Sequence, residues 1–217
     1  MNLAMKIRTV LLILSFAGIV VSCIPSLYPL YRTRDLVIDD RLEGLYETGK
    51  NEYWKIRRLD PDFEKLPGGW EHYRSGFTYR LTVSEEGNVE EFALHMLTLG
   101  DDVYLDFLPV NYHIRHGFLD MHLVPTHTFA KAEVTGDALI LHFFDMEWLE
   151  DLIESKKIKI SHVETRDRYV LTAKTEELQK FITKFANDST TFFEVDTLPR
   201  QPFSSGSGDF SSLLNVN

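Results

Sequence analysis

The chain has 217 residues, a length typical of one domain, and 44% of them are hydrophobic, which suffices for a packed core. Its 33 acidic and 23 basic residues give a net charge of −10, which argues against nucleic acid as a partner because such binding needs a basic face. The single cysteine, Cys23, excludes an intramolecular disulfide.

The N-terminal segment has the composition of a secretory signal. Lys6 and Arg8 form a short basic start, and residues 10–21 form a twelve-residue apolar run. That run is too short for a membrane-spanning helix, which needs about 20 apolar residues, and Pro25 and Pro29 interrupt the chain soon afterwards. The alternatives to the interpretation that follows are an ordinary signal peptide and an uncleaved anchor helix.

The end of this segment, Val20-Val21-Ser22-Cys23, resembles the lipobox of bacterial lipoproteins. In that family the cysteine is acylated and becomes the first residue of the mature chain. The resemblance therefore implies a lipoprotein signal peptide at residues 1–22 and lipidation of Cys23, with valine where leucine is most usual three positions earlier. Cleavage removes two basic residues and changes the net charge from −10 to −12.

The resemblance also implies a location. Stable anchoring takes more than one acyl chain, and the family carries a diacylglyceryl group and usually an amide-linked third chain. Ile24, rather than aspartate, follows the cysteine, which by the sorting rule of such lipoproteins implies the outer membrane of a bacterial cell envelope. No acidic cluster follows directly, so we expect a domain that faces the periplasm. The expected partners are the membrane and either a small apolar ligand or an envelope protein, and no cofactor is predicted.

Residues 23–41 show no clear period and contain two prolines, so we predict a lipidated N-terminus and tether. Short β-like runs divided by turn signals come next. They cover residues 42–47, 52–58, 77–83, 89–97, 103–108, 127–134 and 138–144. Hairpin-length links between neighbouring runs are typical of an antiparallel meander.

Helical patterns interrupt the β-like runs in the second half of the chain. Residues 145–154 predict a short helix with an acidic first turn, and residues 175–188 predict a C-terminal amphipathic helix with one apolar stripe. A strand pair is predicted between them, at 158–163 and 168–172. The Ser/Gly-rich tail, 199–217, is predicted to be flexible.

The fold predicted for residues 42–198 is mainly β: an antiparallel meander of about eight strands that closes into a barrel able to hold one small ligand, as in lipocalins. A β-sandwich would give a similar pattern. Gly44-Leu45-Tyr46 resembles the Gly-x-Trp at the start of a lipocalin barrel, with tyrosine in place of tryptophan. In lipocalins an arginine on a late strand packs over that aromatic ring, which implies a barrel-closing pair of Tyr46 and Arg168.

A histidine-rich stretch is the most conspicuous polar cluster. Zinc is bound by neutral imidazoles and carboxylates in near-tetrahedral placement, but residues 111–117 lie between Pro109 and strand 127–134 and are typical of a loop. We therefore predict surface or rim histidines and no metal site. The four histidines fall within fifteen residues, close to Asp106 and Asp120: His113, His116, His122 and His127.

The run at 103–108 carries a second candidate site. Its odd-numbered residues are apolar, whereas Tyr104 and Asp106 face the other side. Either Asp106 is solvated outside the barrel, or the apolar set lies outside under a helix and Asp106 points inside with Tyr104, where His127 can pair with it. A buried Asp–His pair is a candidate ligand-binding or acid–base site. The alternatives are a structural hydrogen bond and no contact at all.

No phosphate-binding loop, nucleophile elbow or zinc-protease motif occurs, and no residue is assigned a catalytic role. We expect a lipid-anchored binding protein without catalysis. One alternative is a structural or assembly accessory lipoprotein whose barrel is filled by side chains. The other is a metal-dependent or acid–base hydrolase that uses Asp106 and His127. An open, aromatic-lined lumen favours binding, and a packed lumen favours the accessory role.

Overall fold

The computed structural model describes residues 23–59, 76–85, 87–110, 118, 122–166 and 168–202. These residues form a mainly β fold. The strands are β1 (Gly44–Gly49), β2 (Glu52–Arg58), β3 (Thr78–Glu85), β4 (Asn88–Leu99), β5 (Asp102–Pro109), β6 (Thr128–Val134), β7 (Ala138–Phe144), β8 (His162–Glu164), β9 (Tyr169–Leu171) and β10 (Phe192–Gln201). The helices are α1 (Met146–Glu154) and α2 (Thr175–Phe185).

Eight of the strands close into a barrel in the order β1-β10-β7-β6-β5-β4-β3-β2. Every neighbouring pair is antiparallel, which confirms the predicted class and the closed barrel. The eighth barrel strand, however, is β10, which the sequence analysis missed. The predicted strand pair forms a separate small sheet of β8 and β9. Strand β10 ends at Gln201, so the domain extends past residue 198, where the sequence analysis had placed its C-terminal boundary.

Side chains from alternate positions fill the barrel. Leu105 and Phe107 of β5 belong to the lumen cluster, whereas Tyr104 belongs to a second cluster outside the barrel. This follows from the two-residue period of a strand, which sends neighbouring side chains to opposite faces. The centre of the lumen is occupied by residues with at most 1% exposure: Leu42, Tyr46, Ile56, Tyr79, Leu81, Leu94, Leu105, Leu139 and Leu141.

The second cluster lies between the outer face of the barrel and a cover of helices and irregular chain. Leu178, Phe181 and Ile182 of α2 and Leu149 of α1 pack into it. Asp145 caps α1 by accepting the backbone N–H of Glu147 at 2.9 Å. Helix α2 is not the last element, because β10 follows it. No helix in the described ranges is both long and apolar enough to span a bilayer.

The prediction of a tether is wrong for most of its length. Residues 23–36, called the N-terminal segment below, lie against the barrel and the small sheet. Ile24, Leu30 and Leu36 are buried in the second cluster, and Leu36 forms a β-bridge with Leu97 of β4. Apolar side chains that gain this burial hold the segment in place, although its only helical element is a single 3₁₀ turn at Thr33–Asp35.

The barrel closes where β1 meets β10, and Arg200 secures that seam. Its guanidinium donates to the carbonyl oxygen of Glu43 at 2.6 Å and to the Tyr46 hydroxyl at 2.7 Å, and it also donates to the carbonyl of Arg41. It lies 4.9 Å from the centre of the Tyr46 ring. Gly44 leaves room for this arrangement, since a side chain there would collide with the guanidinium.

The predicted partner of Tyr46 was Arg168, and this prediction is wrong. Arg168 is exposed at the turn between β8 and β9, where its backbone N–H donates to the Thr165 hydroxyl at 3.2 Å. The arginine over the tyrosine ring is Arg200, on the last barrel strand. The error follows directly from the missed β10, because the latest strand recognised from the sequence was 168–172.

Replacing Arg200 by alanine is expected to lower the free energy of unfolding by about 2 kcal/mol, because oxygen atoms at the seam lose a charged donor. Urea denaturation of the Arg200→Ala variant measures this. Arg168→Ala is the matched control, with an expected change below about 0.5 kcal/mol. Equal losses in the two variants would contradict the assignment of the seam to Arg200.

Candidate functional site: a buried Asp–His pair beneath the N-terminal segment

The candidate site lies on the outer face of β4, β5 and β6. Asp106 of β5 is in register with His95 of β4 on one side and with Phe129 of β6 on the other. His127 precedes β6 by one residue and lies two positions from Phe129. The N-terminal segment covers this face, so its polar side chains are buried although they point away from the lumen.

Both carboxylate oxygens of Asp106 are engaged within the fold. Oδ2 accepts the backbone N–H of Leu30 at 2.8 Å, and Oδ1 lies 2.7 Å from Nδ1 of His127. Asp106 has no exposed surface, and the His127 side chain is 10% exposed. A buried carboxylate is strongly unfavourable unless polar partners compensate its lost hydration, and these two contacts supply that compensation.

Main-chain bonds join the same two parts of the molecule. The N–H of Ser26 donates to the carbonyl of His127, and the N–H of His127 donates to the carbonyl of Ser26, both at 2.8 Å. Helix α2 holds the segment from its other side, because the Thr175 hydroxyl and the Gln179 amide donate to the carbonyls of Pro29 and Leu30, each at 2.8 Å. The contacts of Asp106 with Leu30, and of His127 with Asp106 and Ser26, are together called the clasp below.

His95 extends this polar cluster. Its Nε2 lies 3.0 Å from the hydroxyl of Thr78, and its ring centre lies 4.4 Å from that of Tyr31 in the N-terminal segment. Burial lowers the pKa of His95 to about 4, an effect that Asp106 opposes and His127 reinforces. The imidazole is therefore neutral at physiological pH.

The structure brings together only two of the three predicted site residues. Asp106 and His127 are in contact, but the fully buried Tyr104 hydroxyl has no hydrogen-bond partner among the described residues. Burial raises the pKa of Tyr104, with a further contribution from Asp102. The predicted choice between a solvated and an inward-facing Asp106 was incomplete: the carboxylate faces outward and is nevertheless buried, because the N-terminal segment covers it.

The histidine-rich stretch lies only partly within the described residues. His113, His116 and Asp120 lie outside the described residues. Within the described ranges, no group of three or more histidine, cysteine, aspartate or glutamate side chains is arranged to hold a metal ion.

An open cleft of about 490 Å³ lies at one mouth of the barrel and is called the mouth cleft here. Lumen residues form its apolar part, and Lys131 pairs with Asp102 at 2.7 Å on its wall. A smaller cleft of about 270 Å³ lies beside Arg200. Neither contains Asp106 or His127. The mouth cleft is lined by Met96, Val103, Ala132 and Val134, together with Asp39, Arg41, Asp101, Asp102, Lys131, Glu133 and Thr135.

Cys23, the predicted lipidation site, begins the N-terminal segment. It is half-buried and forms a β-bridge with Asp145 at the start of α1. Burial raises the pKa of its thiol to about 11, and the negative charge of Asp196 adds to the effect. Because the thiolate is the nucleophilic form, such a thiol is a poor catalyst at neutral pH.

Sequence reasoning missed His95 and the role of the N-terminal segment. The available signal was the run Phe92-Ala93-Leu94-His95-Met96-Leu97, in which both faces of a strand are apolar. Such a run indicates a strand covered on both sides.

No protein-family model, curated protein or solved structure matches this chain.

Asp106→Ala is expected to lower the free energy of unfolding by about 3 kcal/mol or more, because it leaves His127 and a backbone N–H buried without their acceptor. Hydrogen exchange should accelerate most at residues 24–36. Tyr104→Phe, on the same face of the same strand, removes only an unpartnered hydroxyl and should change stability by less than about 1 kcal/mol. If Asp106→Ala fails to fold, Asp106→Asn serves instead, and unchanged exchange in that variant would contradict the clasp.

The lowered pKa of His95 predicts that the stability of the fold depends on pH. The unfolded chain binds a proton at this residue near pH 6.5, whereas the folded chain binds it near pH 4. The free energy of unfolding should therefore fall by about 3 kcal/mol from this group as the pH drops through that window. His95→Gln should flatten the profile between these pH values in urea titrations. An unchanged slope would show that His95 is not the group responsible.

Proposed function

We propose that the chain is a lipoprotein of the bacterial cell envelope, held in the outer membrane through Cys23 and facing the periplasm. Its lipocalin-like barrel binds a small ligand with an apolar part, without catalysis. The N-terminal sequence supports the anchor, since the only cysteine stands at the end of a lipobox-like signal. Burial raises the pKa of this thiol to about 11, which disfavours a catalytic role for it.

The lipocalin-like identity is supported by the barrel seam. Gly44, Tyr46 and Arg200 reproduce the arrangement that the sequence resemblance implied, with an arginine from the last barrel strand over an aromatic ring near the start of the first. Tyrosine replaces the tryptophan of the family pattern, so the geometry of the contact carries more weight than the motif.

The mouth cleft is the observation that carries the ligand-binding proposal. Its volume of about 490 Å³ lies within the usual range for small-molecule sites. Met96, Val103, Ala132 and Val134 supply apolar contacts, and the charged residues of the rim supply partners for a polar group. The bound ligand lies at the mouth, because side chains occupy the centre of the lumen.

The filled lumen also favours the second candidate function, an accessory role in envelope structure or assembly. A barrel whose central residues are fully buried against one another leaves no room for a deeply bound ligand. The hydrolase alternative has less support. Both oxygens of Asp106 bond to groups of the fold, and neither described cleft reaches the Asp–His pair.

Native mass spectrometry of the protein purified from bacterial membranes tests ligand binding. We expect an organic mass that is lost on denaturation and is absent from Val134→Trp, whose added ring occupies the mouth cleft. Ala138→Trp is the control, because it places the same ring on the outer face of the neighbouring strand β7 and should retain the ligand. A wild-type protein without any bound mass would favour the accessory role.

Anchoring is tested separately with Cys23→Ala. We expect this variant to keep its signal peptide uncleaved or to be released from the membrane by detergent-free washing, because no acyl chains are attached. Membrane fractionation and the mobility of the processed chain on gels measure the result. Processing and retention equal to the wild type would rule out lipidation at this residue.

A further inference from the structure

The N-terminal segment adds a third strand to the small sheet. The N–H of Leu171 donates to the carbonyl of Pro25, and the N–H of Leu27 donates to the carbonyl of Leu171, both at 2.9 Å. Ser26 forms a parallel β-bridge with Leu171. Residues 25–27 therefore run beside β9, which in turn pairs with β8.

The two faces of this three-stranded arrangement differ in exposure at Leu27 and Val163, whereas Pro25 is buried and Val170 is half-buried. Ser26 and Leu171 are fully buried and point into the fold. Since successive side chains of a strand alternate, Leu27 and Val170 point outward, together with Val163, the cross-strand partner of Val170. Leu27 is 43% exposed and Val163 is 53% exposed. We call these three side chains the outer face of the small sheet.

A basic stretch of the sequence includes β8 and the turn between β8 and β9. The stretch 156–168 contains five lysines and arginines and only two acidic residues, a local excess of +3 in a chain with net charge −10. All five basic side chains are exposed, and none has an ion-pair partner among the described residues. They are Lys156, Lys157, Lys159, Arg166 and Arg168.

Tyr169 shares the inward direction of Leu171. Its pKa is raised by partial desolvation and by Glu164, Glu154 and Glu150. The outer face carries apolar side chains, and the exposed Arg166 and Arg168 lie at its end, in the turn between β8 and β9.

We propose that the outer face of the small sheet rests on an anionic leaflet of the membrane, a proposal that depends on the proposed anchor at Cys23. Two residues, Ile24 and Pro25, lie between Cys23 and Ser26, so the anchor point is three chain steps, about 11 Å at most, from Ser26. Acyl chains that enter the bilayer at Cys23 hold Leu27 and Val163 at its surface. Apolar side chains then enter the headgroup boundary while lysines and arginines bind lipid phosphates.

The outer face of the small sheet also determines the orientation of the barrel relative to the membrane. The clasp joins the N-terminal segment to β5 and β6, and the segment joins the small sheet to the anchor. The acylated protein therefore lies against the leaflet in one orientation instead of moving freely on a tether.

The acylated protein, reconstituted in vesicles of phosphatidylethanolamine and phosphatidylglycerol, provides the test. A fluorophore is attached through Val163→Cys, and the control label is attached through Val89→Cys on β4, a valine with 50% exposure away from the small sheet. Lipid on Cys23 leaves the introduced thiol as the labelling site. We expect iodide to quench the label at 163 severalfold less than the label at 89, and Lys156→Glu with Lys157→Glu to reduce that difference.

Three results would overturn the proposal. Labels at 163 and 89 that are equally quenched on floating vesicles exclude this orientation while leaving the anchor intact. A label at 163 that is shielded to the same extent on vesicles of phosphatidylcholine alone shows that the outer face does not recognise an anionic leaflet. A protein that does not float with the vesicles refutes both the anchor and the surface that depends on it.

Discussion

The structure depends on the buried carboxylate of Asp106. Its two oxygens contact the backbone of Leu30 and the ring of His127, so this side chain of the barrel adds a buried polar contact to the main-chain bonds and apolar burial that hold the N-terminal segment. Removing a carboxylate from water is costly, and this cost is offset only when the N-terminal segment is in place. The outer face of the barrel and its cover are consequently formed together.

Covering that face gives the described part of the protein a second large apolar cluster beside the lumen cluster. The lumen cluster holds the eight strands in register, and the second cluster attaches both helices and the small sheet to the barrel. The proposed ligand site at the mouth cleft and the proposed anchor at Cys23 therefore lie on different surfaces of the same small domain.

The sequence predicted the features that arise from local periodicity. Alternating residues identified β1 to β7, Asp145 marked the start of α1, and Gly44 with Tyr46 marked the barrel seam. Strand β10 was missed because Asp196, Pro199 and Arg200 make it look like a polar linker. The burial of Ile24 and Leu30 could not be predicted from a periodic pattern, because it results only from tertiary contacts. The pairing of Asp106 with His127 was one of the alternatives that the sequence left open, but its position outside the barrel depended on a cover that no local pattern reveals.

We propose a domain held directly against a membrane by lipid on Cys23. Mass spectrometry of the N-terminal tryptic peptide from the membrane-bound protein tests this proposal most directly. We predict a peptide that begins at Cys23 and ends at Arg32, with a diacylglyceryl group on sulfur and an acyl chain on the amino group. An unmodified Cys23, in a peptide that begins earlier in the chain, would contradict it.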